Sequence, residues 1–115
     1  MILKFQDEKQ GEAVIVAVAG RLEGTAAPEI EKHCITLIRG GTTRLLLDLA
    51  GVDYISSAGL RSLLVIAKTI KATKGLLVLC NLSPMVRDVM AISCFDKILT
   101  LAANRDVALS ALQAG

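Results

Sequence analysis

Apolar residues follow two rhythms along this chain, short runs of strand length and one-sided stripes at helical spacing, and the two alternate. The clearest change of rhythm lies between Asp48 and Leu64. Leu45, Leu46, Leu47 and Leu49 form a nearly continuous apolar run, the pattern of a parallel strand covered on its faces. Gly51 and Asp53 break the run. Beyond them Leu60, Leu63, Leu64, Ala67 and Ile70 fall on one side of a helix, which the pattern places over Ala58 to Thr73. Ser56 and Ser57 thus sit where a strand delivers the chain to a helix start.

The remaining elements are read in the same way. Leu3 to Asp7 and Ala13 to Ala19 read as two strands joined by a polar turn containing Gly11, an antiparallel hairpin at a sheet edge. Thr25 is placed to cap a first helix from Ala26, with Ile30, Cys34, Leu37 and Ile38 on its buried side and Gly40-Gly41 ending it. Leu76 to Cys80 is a strand; Ser83 and Pro84 open a helix to about Ile92, by a cap and a proline at the first helical position. Ile98 to Leu101 is a short last strand, and Asn104 caps a final helix from Arg105 to Leu112. Strands alternating with helices after a hairpin predict an α/β fold: a mostly parallel open sheet with an N-terminal edge hairpin and four helices. With no internal repeat, low-complexity run or linker, residues 1–115 are expected to form one domain. In such sheets, loops at the carboxyl ends of the strands carry functional groups, and Gly51 to Ser57 is one such loop.

Composition narrows the classes. The chain is 53% hydrophobic but only 3% aromatic, so its core is built from Leu, Ile, Val and Ala, and Tyr54 is the single tyrosine. No apolar stretch reaches the ~20 residues needed to span a bilayer, since Arg61, Lys68, Lys71 and Lys74 interrupt the best candidate. The charged N-terminal segment does not resemble a signal peptide, so a cytoplasmic location is expected. Cys34, Cys80 and Cys94 are odd in number and in no CxxC arrangement, which argues against a disulfide framework or a zinc site and makes them small core residues. A net charge of +2 is too small to imply direct binding of nucleic acid. The lysines near the end of the second helix oppose its dipole and read as a solvated face.

Candidate chemistry is sparse. Ser57, His33 and Asp48 are the ingredients of a hydrolytic triad, but no GxSxG elbow surrounds the serine, and the only histidine lies mid-helix. A lone histidine among scattered cysteines lacks the ligand spacing of a metal site. No GxxxxGK[ST] or GxGxxG motif is present, so no cofactor of the chain's own is expected. Ser57 has two compatible readings: an N-cap accepting from the amide of Gly59 or Leu60, or an exposed hydroxyl open to modification. A phosphate there would meet free amides and the positive end of the helix dipole, with Arg61 one turn away.

The segment from Asp48 to Leu64 resembles the signature of the STAS domain of bacterial anti-sigma factor antagonists. Asp48-Leu49-Ala50 takes the place of the family's strand end, Tyr54-Ile55 of its two apolar residues, and Gly59-Leu60 of the Gly-Leu that opens its helix. The resemblance extends to Gly20-Arg21-Leu22-Glu23, similar to a Gly-x-Leu-Asp after the second strand, and to Asn81-Leu82-Ser83-Pro84. It implies that Ser57 is the phosphorylated serine; Ser56, the competing acceptor, stands where the family has aspartate. It further implies a protein-binding switch, not an enzyme. The unphosphorylated form would bind a serine-kinase anti-sigma factor, phosphorylation by that kinase's ATP would release it, and a metal-dependent serine phosphatase would reset it. Val52, Asp53, Tyr54, Ile55, Ser56, Ser57 and Arg61 would then form the partner surface. The alternative is a STAS subunit docked on a membrane transport complex, with no phosphate cycle.

Overall fold

The structure, a computed structural model, describes residues 3–114. Strands β1 (Lys4–Gln10) and β2 (Ala13–Leu22) form the expected antiparallel hairpin. Helix α1 (Ala26–Arg39), strand β3 (Arg44–Ile55), helix α2 (Ser57–Ala72), strand β4 (Leu76–Cys80), helix α3 (Pro84–Ile92), a 3-10 turn at Phe95–Lys97, strand β5 (Thr100–Ala102) and helix α4 (Arg105–Ala114) follow. The sheet order is β1-β2-β3-β4-β5, and every pairing after the hairpin is parallel.

Alternation along the strands divides the core between two faces. Val16, Val18, Leu45, Leu47, Leu49, Leu77 and Leu79 face the stripes of α1 (Ile30, Cys34, Ile38), α2 (Leu63, Ile66, Ile70) and α3 (Val86, Met90). Ile15, Leu46, Val78 and Cys80 face Ala108 and Leu112 of α4. Burying each such Leu or Ile contributes roughly 1.5–3 kcal/mol relative to exposure, so the larger first layer dominates.

Strand β3 is longer than its apolar run. The sequence pattern ends it at Leu49 and leaves Gly51 to Ser57 as a loop, whereas in the structure it pairs with β2 as far as Ile55, opposite Leu22. The reason is two register shifts, at Ala17/Ala19 and at Gly20/Arg21 of β2, where β3 carries an extra residue each time. Each bulge changes the spacing of inward residues from two to three, so Leu49, Val52 and Ile55 all reach the same core. Gly51 makes the first bulge possible: a Cβ there would lie 2.7 Å from that of Ala19 and 2.9 Å from the Val18 carbonyl oxygen.

Other differences are local. Thr25 makes no side-chain capping bond, because its backbone is already helical (φ −72°, ψ −16°) and not in the extended conformation that turns a cap oxygen onto the helix amides. Ser83 and Asn104 do cap, accepting from the amides of Val86 at 3.3 Å and Val107 at 3.0 Å. Strand β5 starts at Thr100, with Ile98 exposed before it. Cys34 and Cys80 are buried as expected; Cys94 is exposed, since it lies in a left-handed turn (φ 63°) after α3 and not on an apolar stripe.

Candidate functional site

The end of β3, the start of α2 and the end of β2 meet around one backbone atom, the carbonyl oxygen of Leu22. It accepts the amide of Ser56 at 3.0 Å and the hydroxyl of Ser56 at 3.4 Å. The Ser56 hydroxyl oxygen in turn accepts the amide of Gly59 at 3.2 Å, so Ser56, in extended conformation, is the N-cap of α2. Gly59 permits this approach: a Cβ there would lie 2.4 Å from the Leu22 oxygen. The helix start is thereby pinned to β2.

With the cap supplied by Ser56, Ser57 becomes the first residue of α2, and the capping alternative for its side chain falls away. It is exposed, and its hydroxyl has no hydrogen-bond partner among the described residues. The first turn of the helix carries no acid, and its amides have no intrahelical acceptors. Arg61, exposed, follows one turn later on the same side of the helix. The arrangement offers a free primary hydroxyl in a field that favours negative charge.

The rest of the proposed partner surface divides. Val52 and Ile55 are core residues, 1% and 3% exposed, so they support the segment from below and present no side-chain surface. Asp53 is exposed and Tyr54 half-buried. Tyr54 lies beside Arg21 in the β2–β3 register, with the guanidinium 4.3 Å from the ring centroid and bound to Glu23 at 2.9 Å. Arg21 and Glu23 belong to the Gly20-Arg21-Leu22-Glu23 motif, but only pairing with β3 shows that Arg21, held by Glu23, lies against the tyrosine.

The triad ingredients do not assemble. His33 Nε2 bonds to the carboxylate of Asp7 at 2.8 and 3.0 Å and its ring stacks on Phe5, tying α1 to β1. Asp48 is held by Arg105, Asn81 and the Ala50 amide. Neither is a base for Ser57. Among the described residues no group of three or more His, Cys, Asp or Glu side chains is placed to hold a metal ion, and no helix is long and apolar enough to cross a membrane.

Comparison with known proteins adds to this geometry. The STAS domain sequence model matches residues 4–108. The chain belongs to the STAS domain family. Over 111 residues it is 37% identical to BtrV of Bordetella bronchiseptica, a protein named as a candidate anti-sigma factor antagonist, with 96% of each chain covered. An anti-sigma factor antagonist from Mycobacterium paratuberculosis has the same fold, with a TM-score of 0.88 at 22% identity over 96% of this chain and 94% of that one. So does the Bacillus cell fate determinant SpoIIAA in its phosphorylated form, with a TM-score of 0.67 at 24% identity over 87% and 92% of the two chains. The STAS fold read from the sequence is therefore the fold of this chain.

Sequence reasoning missed two features of this STAS domain. One is the buried carboxylate of Asp48 as the hub of a partly buried network; an acid ending an apolar strand was the available signal. The other is the Arg21–Tyr54 pair, which no local pattern joins.

Proposed function

We propose that this STAS domain, spanning residues 1–115, is an anti-sigma factor antagonist switched by phosphorylation of Ser57. The observation that carries the reading is the division of labour between the serines: Ser56 is consumed as the cap, and Ser57 is left free and exposed at the helix start. Identity to BtrV over nearly the whole chain supports the antagonist role, and the phosphorylated SpoIIAA of the same fold supports a phosphate cycle. In this reading the unphosphorylated domain binds a serine-kinase anti-sigma factor in the cytoplasm, through Asp53, Tyr54, Ser57 and Arg61 over the buried support of Val52 and Ile55. The kinase brings the ATP, and a metal-dependent serine phosphatase restores the hydroxyl. The domain itself acts as binder and substrate, not as catalyst.

The physics of the switch follows from the site. A phosphate on Ser57 carries a charge near −2, and at an exposed helix N-terminus that charge is favourable, so modification leaves the fold intact. Buried against a partner the same charge must be desolvated, and the complex is lost. Arg61 stabilises the modified form by pairing with the phosphate. Phosphopeptide mapping after incubation with the cognate kinase and ATP tests the assignment. Modification on Ser57, abolished in Ser57→Ala, is expected; full phosphorylation of Ser57→Ala, with the phosphate on Ser56, refutes it.

A further inference from the structure

Strand β3 loses its neighbour β4 after Asp48, the partner of Cys80, yet runs on beside β2 to carry the segment that ends in Ser56 and Ser57. The point of departure is occupied by a buried carboxylate: Asp48 is 6% exposed. One of its oxygens accepts the amide of Ala50 at 3.0 Å and the side-chain amide of Asn81 at 3.1 Å. The other accepts Arg105 Nε at 2.6 Å. Arg105 opens α4, and its Nη1 lies 3.7 Å from Glu8 on β1. Asn81 sits in the left-handed region (φ 58°) just after β4. One carboxylate thus joins the first bulge of β3, the exit from β4 and the start of α4.

A buried charge is an expensive way to fill a core position, and well-packed apolar residues commonly do as well or better. Leu46 fills the same sheet face beside it. The carboxylate does what an apolar side chain cannot: it reaches forward two residues to accept the Ala50 amide, which fixes the bulge at Ala50-Gly51. Relaxation of that bulge would shift β3 by one residue against β2. Val52 and Ile55 would then leave the core face, and Ser56 would leave the Leu22 carbonyl.

We infer that Asp48 and Arg105 are a positioning pair for the segment from Val52 to Arg61, coupling the ion pair at the bulge to the presentation of Ser57. The functional meaning of the segment rests on the reading above; the coupling does not. It is tested on the free protein, without kinase or partner, by amide hydrogen exchange. In Arg105→Ala, exchange at Ala50 and Ser56 should accelerate about tenfold or more relative to Val16 in β2, which lies on the opposite sheet face from α4, as expected for loss of a charge-assisted hydrogen bond. Arg105→Lys should restore part of the protection. Leu112→Ala, which loosens α4 by cavity formation without touching the network, should leave the Ser56-to-Val16 ratio unchanged. An unchanged ratio in Arg105→Ala, or an equal rise in Leu112→Ala, overturns the inference. Should Arg105→Ala not fold, Arg105→Lys decides alone, because a weakened pair must still raise the ratio above wild type. Failure here would leave phosphorylation of Ser57 standing, and absence of phosphorylation would leave the coupling standing.

Discussion

Replacing Gly59 by alanine sets two effects against each other at the candidate site. Alanine is the better helix former, by up to ~1 kcal/mol in a helix interior and less in the first turn. Against this, the new Cβ would lie 2.4 Å from the Leu22 carbonyl oxygen and 2.9 Å from Ile55 Cγ1, where ordinary contact begins at 3.4 Å. The helix start must therefore retreat from β2 by about 1 Å, or the oxygen must move by as much. Overpacking of this kind typically costs about 1–3 kcal/mol. The Ser56 amide bond to the same oxygen, 3.0 Å long, stretches with it and forfeits up to ~1 kcal/mol more. Steric cost wins, with a net loss of roughly 1–3 kcal/mol and a fall in Tm of about 4–12 °C. Thermal and urea unfolding of Gly59→Ala would measure it, with the neighbouring exposed Ala58→Gly as a propensity control that loses no more than ~1 kcal/mol. A Gly59→Ala protein as stable as wild type would show that α2 does not need this close approach, and the pinning of Ser57 by Leu22 would be wrong.

Further outcomes are expected from single residues. Ser56→Ala should cost ~1 kcal/mol through the lost cap, whereas Ser57→Ala should stay within about 0.5 kcal/mol of wild type; urea titrations giving the reverse order would reassign the cap. A thiol reagent should modify the exposed Cys94 alone in the native protein, because burial pushes the Cys34 thiol up to about 12 and that of Cys80 to about 11. Intact mass showing more than one adduct before unfolding would contradict this. Burial raises the Asp48 carboxyl, but the hydrogen bonds from Arg105, Ala50 and Asn81 outweigh it and leave its pKa below the usual value. Its contribution to stability is therefore present above the unfolded carboxyl pKa of about 3.9 and is lost as pH falls through the lower folded value. Arg105→Ala should flatten that acid dependence, and urea midpoints falling as steeply toward low pH as in wild type would refute the attribution.

Local sequence carried much of this protein. The stripes at Ile30, Cys34 and Ile38 and at Leu63, Ile66 and Ile70 specify helices, and the apolar runs at Leu45–Leu47 and Leu76–Cys80 specify strands, because side-chain direction repeats with a fixed period in each element. The change of rhythm between them also located the candidate serines. What it could not fix was which serine caps the helix, since that depends on where β3 stops. β3 stops at Ile55 because two bulges keep it in register with β2, and the first of them exists because Gly51 can approach Ala19. Pairing therefore makes a strand of Leu49, Val52 and Ile55, whose spacing of three belongs to no regular strand. The Asp48 network was equally hidden, because two of its donors, Asn81 and Arg105, are 33 and 57 residues away along the chain. Periodicity reports only which face a residue occupies; which atoms meet across that face is decided when the elements pack.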